Sequence, residues 1–122
     1  MMLETETRML GEVMIVDCRG RIQLGDETAT LRQLVHELMN ESRHIVLNLT
    51  DVTHIDSNGI GMLFGLHIYA TKSGIVIKLV GLGDSIKKVA DMTKLSTIFE
   101  VHPTVKEAVA SFNPAIPQPT GT

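Results

Sequence analysis

The sequence predicts an α/β fold: one domain on a mostly parallel sheet with an antiparallel edge strand, in the order ββαβαβαβα. Three observations predict it. Strand-like runs at residues 7–10 and 13–22 flank Gly11, as in an antiparallel hairpin. Two near-continuous apolar runs, HIVLNL at 44–49 and IVIKLV at 75–80, have the composition of strands covered on both faces. Between and after them lie segments with apolar residues at helical spacing. Strands that alternate with helices in this way pair in parallel through right-handed crossovers.

Each element has its own signal. The second strand, VMIVDCRGRI, is apolar first and then alternates toward Ile22. Gly25 and Asp26 break that pattern. Leu31, Leu34, Val35 and Leu38 then fall at i, i+3, i+4 and i+7, one face of an amphipathic helix that leaves out Arg32, Gln33 and Glu37. Asp26 or Thr28 is expected to cap it. After HIVLNL a polar loop, TDVTHID, leads to a helix over residues 57–72, stopped by Ser73-Gly74. After IVIKLV, Gly81 and Gly83 turn the chain, and Asp84 or Ser85 is expected to cap a short helix containing Ile86, Val89 and Ala90. A last strand is expected at 97–101. Pro103 and Thr104 then open a final helix, with Thr104 and Glu107 at capping-box spacing and Val105, Ala108, Val109 and Phe112 on its buried face. Residues 1–113 form the expected domain. The remainder, 114–122, carries three prolines and reads as a flexible C-terminal tail.

Composition narrows the function classes. A chain of 122 residues with 43% apolar content is the size of one domain with a core of its own. The net charge of -3, scattered Lys and Arg, and 3% aromatics argue against nucleic-acid binding. The N-terminus MMLETETRML lacks the apolar stretch of a signal peptide, and no run approaches the roughly 20 residues of a membrane span. The expectation is a cytoplasmic protein with no membrane span. Cys18, the one cysteine, reads as a small core residue.

The unusual stretch is DVTHIDSNGIGMLF, residues 51–64. It lies beyond the carboxyl end of a strand, where ligands bind in open α/β sheets. Ser57 falls at the N-cap or first turn of the following helix, with Gly59 and Gly61 after it. Glycine costs about 1 kcal/mol relative to alanine in a helix interior. Two glycines beside a hydroxyl strip away side chains and admit another molecule's backbone. A phosphate on Ser57 adds roughly -1.5 to -2 charges, which a helix N-terminus tolerates. Phosphorylation would then change the surface without unfolding the domain. A plain helix cap, with glycines for tight packing, accounts for the same residues equally well. The helix itself has two apolar sides. Ile60, Leu63, Phe64 and His67 or Ile68 make one; Met62, Leu66 and Tyr69 make a second. Such a helix is either deeply buried or presents one face to a partner; a partner face is the favoured reading, with a homodimer contact as an alternative use.

At these residues the chain resembles the STAS domain family, and within it the stand-alone anti-sigma factor antagonists. The family's D-S-x-G-[LI]-G helix start reads IDSNGIG at 55–61. Upstream, GRIQLGDETATLRQLVHELM resembles the family's passage from second strand to first helix; downstream, IKLVGLGDSIKKVADMTKLSTIFEVHPTVKEAVASF resembles its closing half. The resemblance implies that the unphosphorylated chain binds an anti-sigma factor with serine kinase activity and so frees a sigma factor. Phosphorylation of Ser57 by that kinase releases the complex, and a metal-dependent serine phosphatase restores it. The domain would be substrate and ligand, not an enzyme, with no cofactor. The expected partner-binding surface comprises Asp56, Ser57, Asn58, Gly59, Ile60 and Met62, together with Gly25. Where many members carry a second serine this chain has Asn58, and where many carry an acid near the end of the second strand it has Gln23.

Other readings compete. A constitutive scaffold in a stressosome-like or transport-linked complex would use the same fold without switching. A hydrolase would use Asp51, His54 and Ser57, but the G-x-S-x-G elbow is absent and residues so close in sequence rarely form a relay. Asp51, His54 and Asp56 offer a metal three ligands in one loop without a fourth, so no metal is expected. Gly81-Leu82-Gly83 lacks the remainder of a dinucleotide fingerprint and reads as a turn.

Overall fold

A computed structural model describes residues 3–23 and 25–112. The expected tail therefore lies outside the described residues. The strands are β1 (Glu4–Leu10), β2 (Val13–Ile22), β3 (His44–Ile55), β4 (Val76–Val80) and β5 (Val101–His102). The helices are α1 (Asp26–Leu38), α2 (Ser57–Lys72), α3 (Asp84–Met92), α4 (Leu95–Ile98) and α5 (Val105–Ser111). One sheet runs β1-β2-β3-β4-β5; β1 is antiparallel to β2, and the other neighbours are parallel. The α/β class and the antiparallel edge strand are as the sequence predicts. Gly11, at φ 61, makes the hairpin turn between Leu10 and Val13.

The helices divide unequally between the two faces. Leu31 and Val35 of α1, Leu63 and Leu66 of α2, Ile86 and Ala90 of α3, and Leu95 of α4 pack on one face against Val16, Ile45, Leu47 and Leu79. On the other face, among the described residues, α5 alone covers Val13, Ile15, Val46 and Val80 through Ala108, Val105, Val109 and Phe112. The buried Lys78 in the run IVIKLV belongs to this side. Its Nζ donates to Ser111 Oγ at 2.7 Å, pairs with Glu100 at 3.1 Å and lies 4.3 Å from the centre of the Phe112 ring. Its charge is thus paired rather than stranded in the core.

Several boundaries differ from the sequence reading, each for a physical reason. β1 starts at Glu4, because the polar residues before Thr7 continue the ladder with β2 as far as Glu4↔Arg19. β3 does not end at Leu49. It runs to Ile55, so the expected loop is mostly strand. Its pairing with β4 stops at Asn48↔Val80, while pairing with β2 continues to Ile22↔Ile55 through two irregularities. Thr50, Asp51, Thr53 and His54 are therefore exposed on a two-stranded extension, and their polarity resembles that of a loop. The strand expected at 97–101 is replaced by the short helix α4 and a two-residue β5. The cap position of α1 is neither Asp26 nor Thr28. The N-cap is Gly25, at φ 137, a conformation that favours glycine, and the Thr28 hydroxyl donates to the Gln23 carbonyl. Gly83 likewise takes the cap position of α3, ahead of Asp84. At α5 the expected cap is present: Thr104 Oγ1 accepts the Glu107 N–H at 3.1 Å.

Candidate functional site

The junction of β3 and α2 is tied by backbone and by one side chain. The Asp56 N–H donates to the Ile22 carbonyl at 3.2 Å, which clips the end of β3 to the end of β2. Asp56 is extended, at φ -105 and ψ -176, and its Oδ1 accepts the Gly59 N–H at 2.9 Å. Asp56 is thus the N-cap of α2, and Ser57 is the first helical residue. The Ser57 side chain is exposed and makes no hydrogen bond among the described residues. Capping therefore does not account for Ser57, because the neighbouring carboxylate does that work.

The two glycines of IDSNGIG behave differently. A Cβ on Gly59 would lie 2.6 Å from the Ile22 carbonyl oxygen and 2.8 Å from Ile55 Cγ1. Gly59 is required for the close approach of α2 to the strand ends. A Cβ on Gly61, or on Gly65 one turn later, would meet nothing within 4 Å. Packing requires no glycine at either position.

Gly61 and Gly65 lie in a shallow groove of about 440 Å³ between α1 and α2. Gly25, Thr28, Ala29 and Arg32 form one wall; Ser57, Asn58 and Met62 contribute to the other. A larger concavity of about 590 Å³ lies at the opposite end of the sheet, among the β1–β2 turn, the end of α1 and the end of α2. The smaller groove opens beyond the carboxyl ends of the parallel strands, where α/β sheets place their sites.

Of the residues singled out in the sequence, Gly25, Ser57, Asn58 and Met62 come together in this groove. Asp56 holds the helix start, while Gly59 and Ile60 face inward, Ile60 with 6% of its surface exposed. Met62 lines the groove with only 7% exposed. The second apolar side of α2 is largely spent in the core. Met62 and Leu66 are buried, and of that set Tyr69 alone is open, packed edge-on to His36 at 4.5 Å. The structure adds Arg32, Ala29 and Gly65, for which the sequence offers no site reading. Their signal is the four-residue spacing of Gly25 to Ala29, of Thr28 to Arg32, and of Ser57, Gly61 and Gly65.

The competing chemistries find no assembly here. Asp51 and His54 are exposed strand residues, and His54 Nδ1 lies 2.9 Å from Thr53 Oγ1 rather than from Ser57. Among the described residues no group of three or more His, Cys, Asp or Glu side chains converges as metal ligands do. Burial, with Asp17 adding to it, pushes the Cys18 thiol up to about 12, so it stays protonated. No helix among the described residues is long and apolar enough to cross a membrane.

Comparison with known proteins agrees with this architecture. The fold matches a candidate anti-sigma factor antagonist of Thermotoga maritima with a TM-score of 0.81 at 22% identity, over 88% of this chain and 92% of that one. An anti-sigma factor antagonist of Mycobacterium paratuberculosis matches at 0.78 and 19% identity, over 89% and 92%. The anti-sigma factor antagonist SpoIIAA in its unphosphorylated form matches at 0.70 and 14% identity, over 93% and 100%. SpoIIAA of Bacillus in its phosphorylated form also matches at 0.70, with 16% identity over 89% and 99%. At these identities the likeness is one of fold. The sequence itself matches the STAS domain over residues 4–108. This chain belongs to the STAS domain family.

Proposed function

We propose that this chain is a cytoplasmic anti-sigma factor antagonist. It binds an anti-sigma factor with serine kinase activity while Ser57 is unmodified, and phosphorylation of Ser57 releases it. The observation that carries this reading is the spare hydroxyl: Ser57 is exposed beside an open groove, and Asp56 supplies the cap. Ser57 is then the substrate of another enzyme, and the chain performs no catalysis of its own. The partner's surface would rest on Ser57, Asn58 and the bare stretch at Gly61. A dianion there would face the partner next to the Asp56 carboxylate, and its repulsion and desolvation cost fall on the complex rather than on the fold. A serine phosphatase would reset the switch.

Two measurements test this reading. Phosphopeptide mass spectrometry of the protein from its own cells should find phosphate on Ser57. Ser57→Ala should retain the kinase-type partner in co-purification, and Ser57→Glu should lose it. Equal recovery of the partner by both variants would reject the switch and leave a constitutive scaffold.

A further inference from the structure

Among the described residues that line the groove, one charged side chain is not used by the switch. Arg32 lines the groove from α1, is exposed, and makes no ion pair among the described residues. Its own helix gives it no carboxylate at the distances where one would pair. Thr28 and Ala29 precede it by four and three residues, and Val35 and His36 follow by three and four. Some surface cations are engaged, Arg8 with Asp17, Arg19 with Glu4 and Glu6, and Lys87 with Asp91; what sets Arg32 apart is its place in the groove beside Ser57.

Arg32 and Ser57 line the same groove from facing helices. α1 and α2 each follow a strand of the same parallel pair, so both begin at the same end of the sheet. Side chains on a helix lean toward its N-terminus. Arg32, about two turns above Gly25, therefore leans toward the end of the groove where Ser57 stands. On the facing helix Gly61, one turn after Ser57, lines the groove without a side chain, and packing does not require a glycine there.

We propose that Arg32 is an internal phosphate clamp: once Ser57 is phosphorylated, the guanidinium crosses the bare floor at Gly61 and pairs with the phosphate, closing the groove. Arginine suits this role because its planar fork meets two phosphate oxygens at once. Phosphorylation then acts twice on a partner. It adds charge at Ser57, and it withdraws both the groove and its cation.

The inference rests on Ser57 as the modified residue, so its test installs the phosphate without a kinase. Protein carrying phosphoserine at position 57, incorporated during translation, is titrated by phosphorus NMR beside its Arg32→Gln and Arg32→Lys counterparts. The second phosphate ionisation, ordinarily near pH ~6, should lie lower by about half a unit or more in the parent. It should return to its ordinary value in Arg32→Gln, with Arg32→Lys between. Salt at about 1 M should erase the parent's shift. Asp56 is common to all three proteins, so the differences report Arg32. An identical midpoint in all three overturns the clamp. Phosphopeptide analysis from cells is a separate measurement. A failed clamp leaves the Ser57 switch standing, and an unmodified Ser57 in cells leaves the titration standing.

Discussion

The first three turns of α2 have an inner and an outer side, and the same residue type does opposite things on each. Inward, Gly59 sits where any Cβ would strike the Ile22 carbonyl, and that carbonyl is already accepting the Asp56 N–H. It cannot retreat without loosening the strand junction. Outward, Gly61 and Gly65 border open space. Inner glycine is a packing requirement. Outer glycine weakens the helix without a packing return, so its use is to be sought in what approaches the groove. The structure thus separates two explanations of the motif that its sequence leaves merged: tight packing applies to Gly59, and access applies to Gly61.

Substitutions can break this contrast, beginning with the largest effect. Gly59→Ala should destabilise by about 1–3 kcal/mol, the usual cost of overpacking, even after its gain in helix propensity. Urea unfolding measures it, and a neutral result would show that α2 can shift away from Ile22. Asp56→Ala should cost about 1 kcal/mol, as loss of an N-cap does, and should expose the α2 amides to faster hydrogen exchange. Gly61→Ala should change stability in the other direction, by up to about 1 kcal/mol, while weakening capture of the kinase-type partner. A stabilised protein with unchanged binding would remove the access role from Gly61. Ser57→Ala should leave stability within about 0.5 kcal/mol of the parent, since Asp56 rather than Ser57 caps the helix.

A remote control sharpens the comparison further. On the face opposite α1–α4, the Arg8 guanidinium, 2.7 Å from Asp17, holds the Asp17 carboxyl below its ordinary range; partial burial opposes this, and Asn48 assists it. Asp17 is depressed in the folded state, so the stabilisation is present above the ordinary carboxylate value of about 3.9. It is lost as pH falls through the lowered value. Arg8 is 46% exposed, so the contribution is at most about 1 kcal/mol. Asp17→Asn should flatten the acid limb of the stability profile by that amount and leave partner capture unchanged.

Much of the frame was legible in the chain. The 57–72 helix, its stop at Ser73-Gly74 and the Thr104–Glu107 cap were readable because each is signalled by neighbouring residues. The end of β3 was not. Thr50 to Ile55 carry loop-like polarity because they leave the shelter of β4, a fact of pairing rather than of composition. The role of Met62 and Leu66 was equally hidden. An apolar stripe looks the same whether another helix or a partner covers it, and here α1 and the core do.

By itself the sequence determined the α/β order, the position of α2 and the motif around Ser57, since periodicity and turn chemistry are local. Only the tertiary structure decided that Asp56 rather than Ser57 caps the helix, that Gly59 and Gly61 divide between core and groove, and that Arg32 shares that groove with Ser57. Those outcomes depend on how α2 rotates against β2 and on which helix lies beside it. Contacts between residues distant in the chain set both.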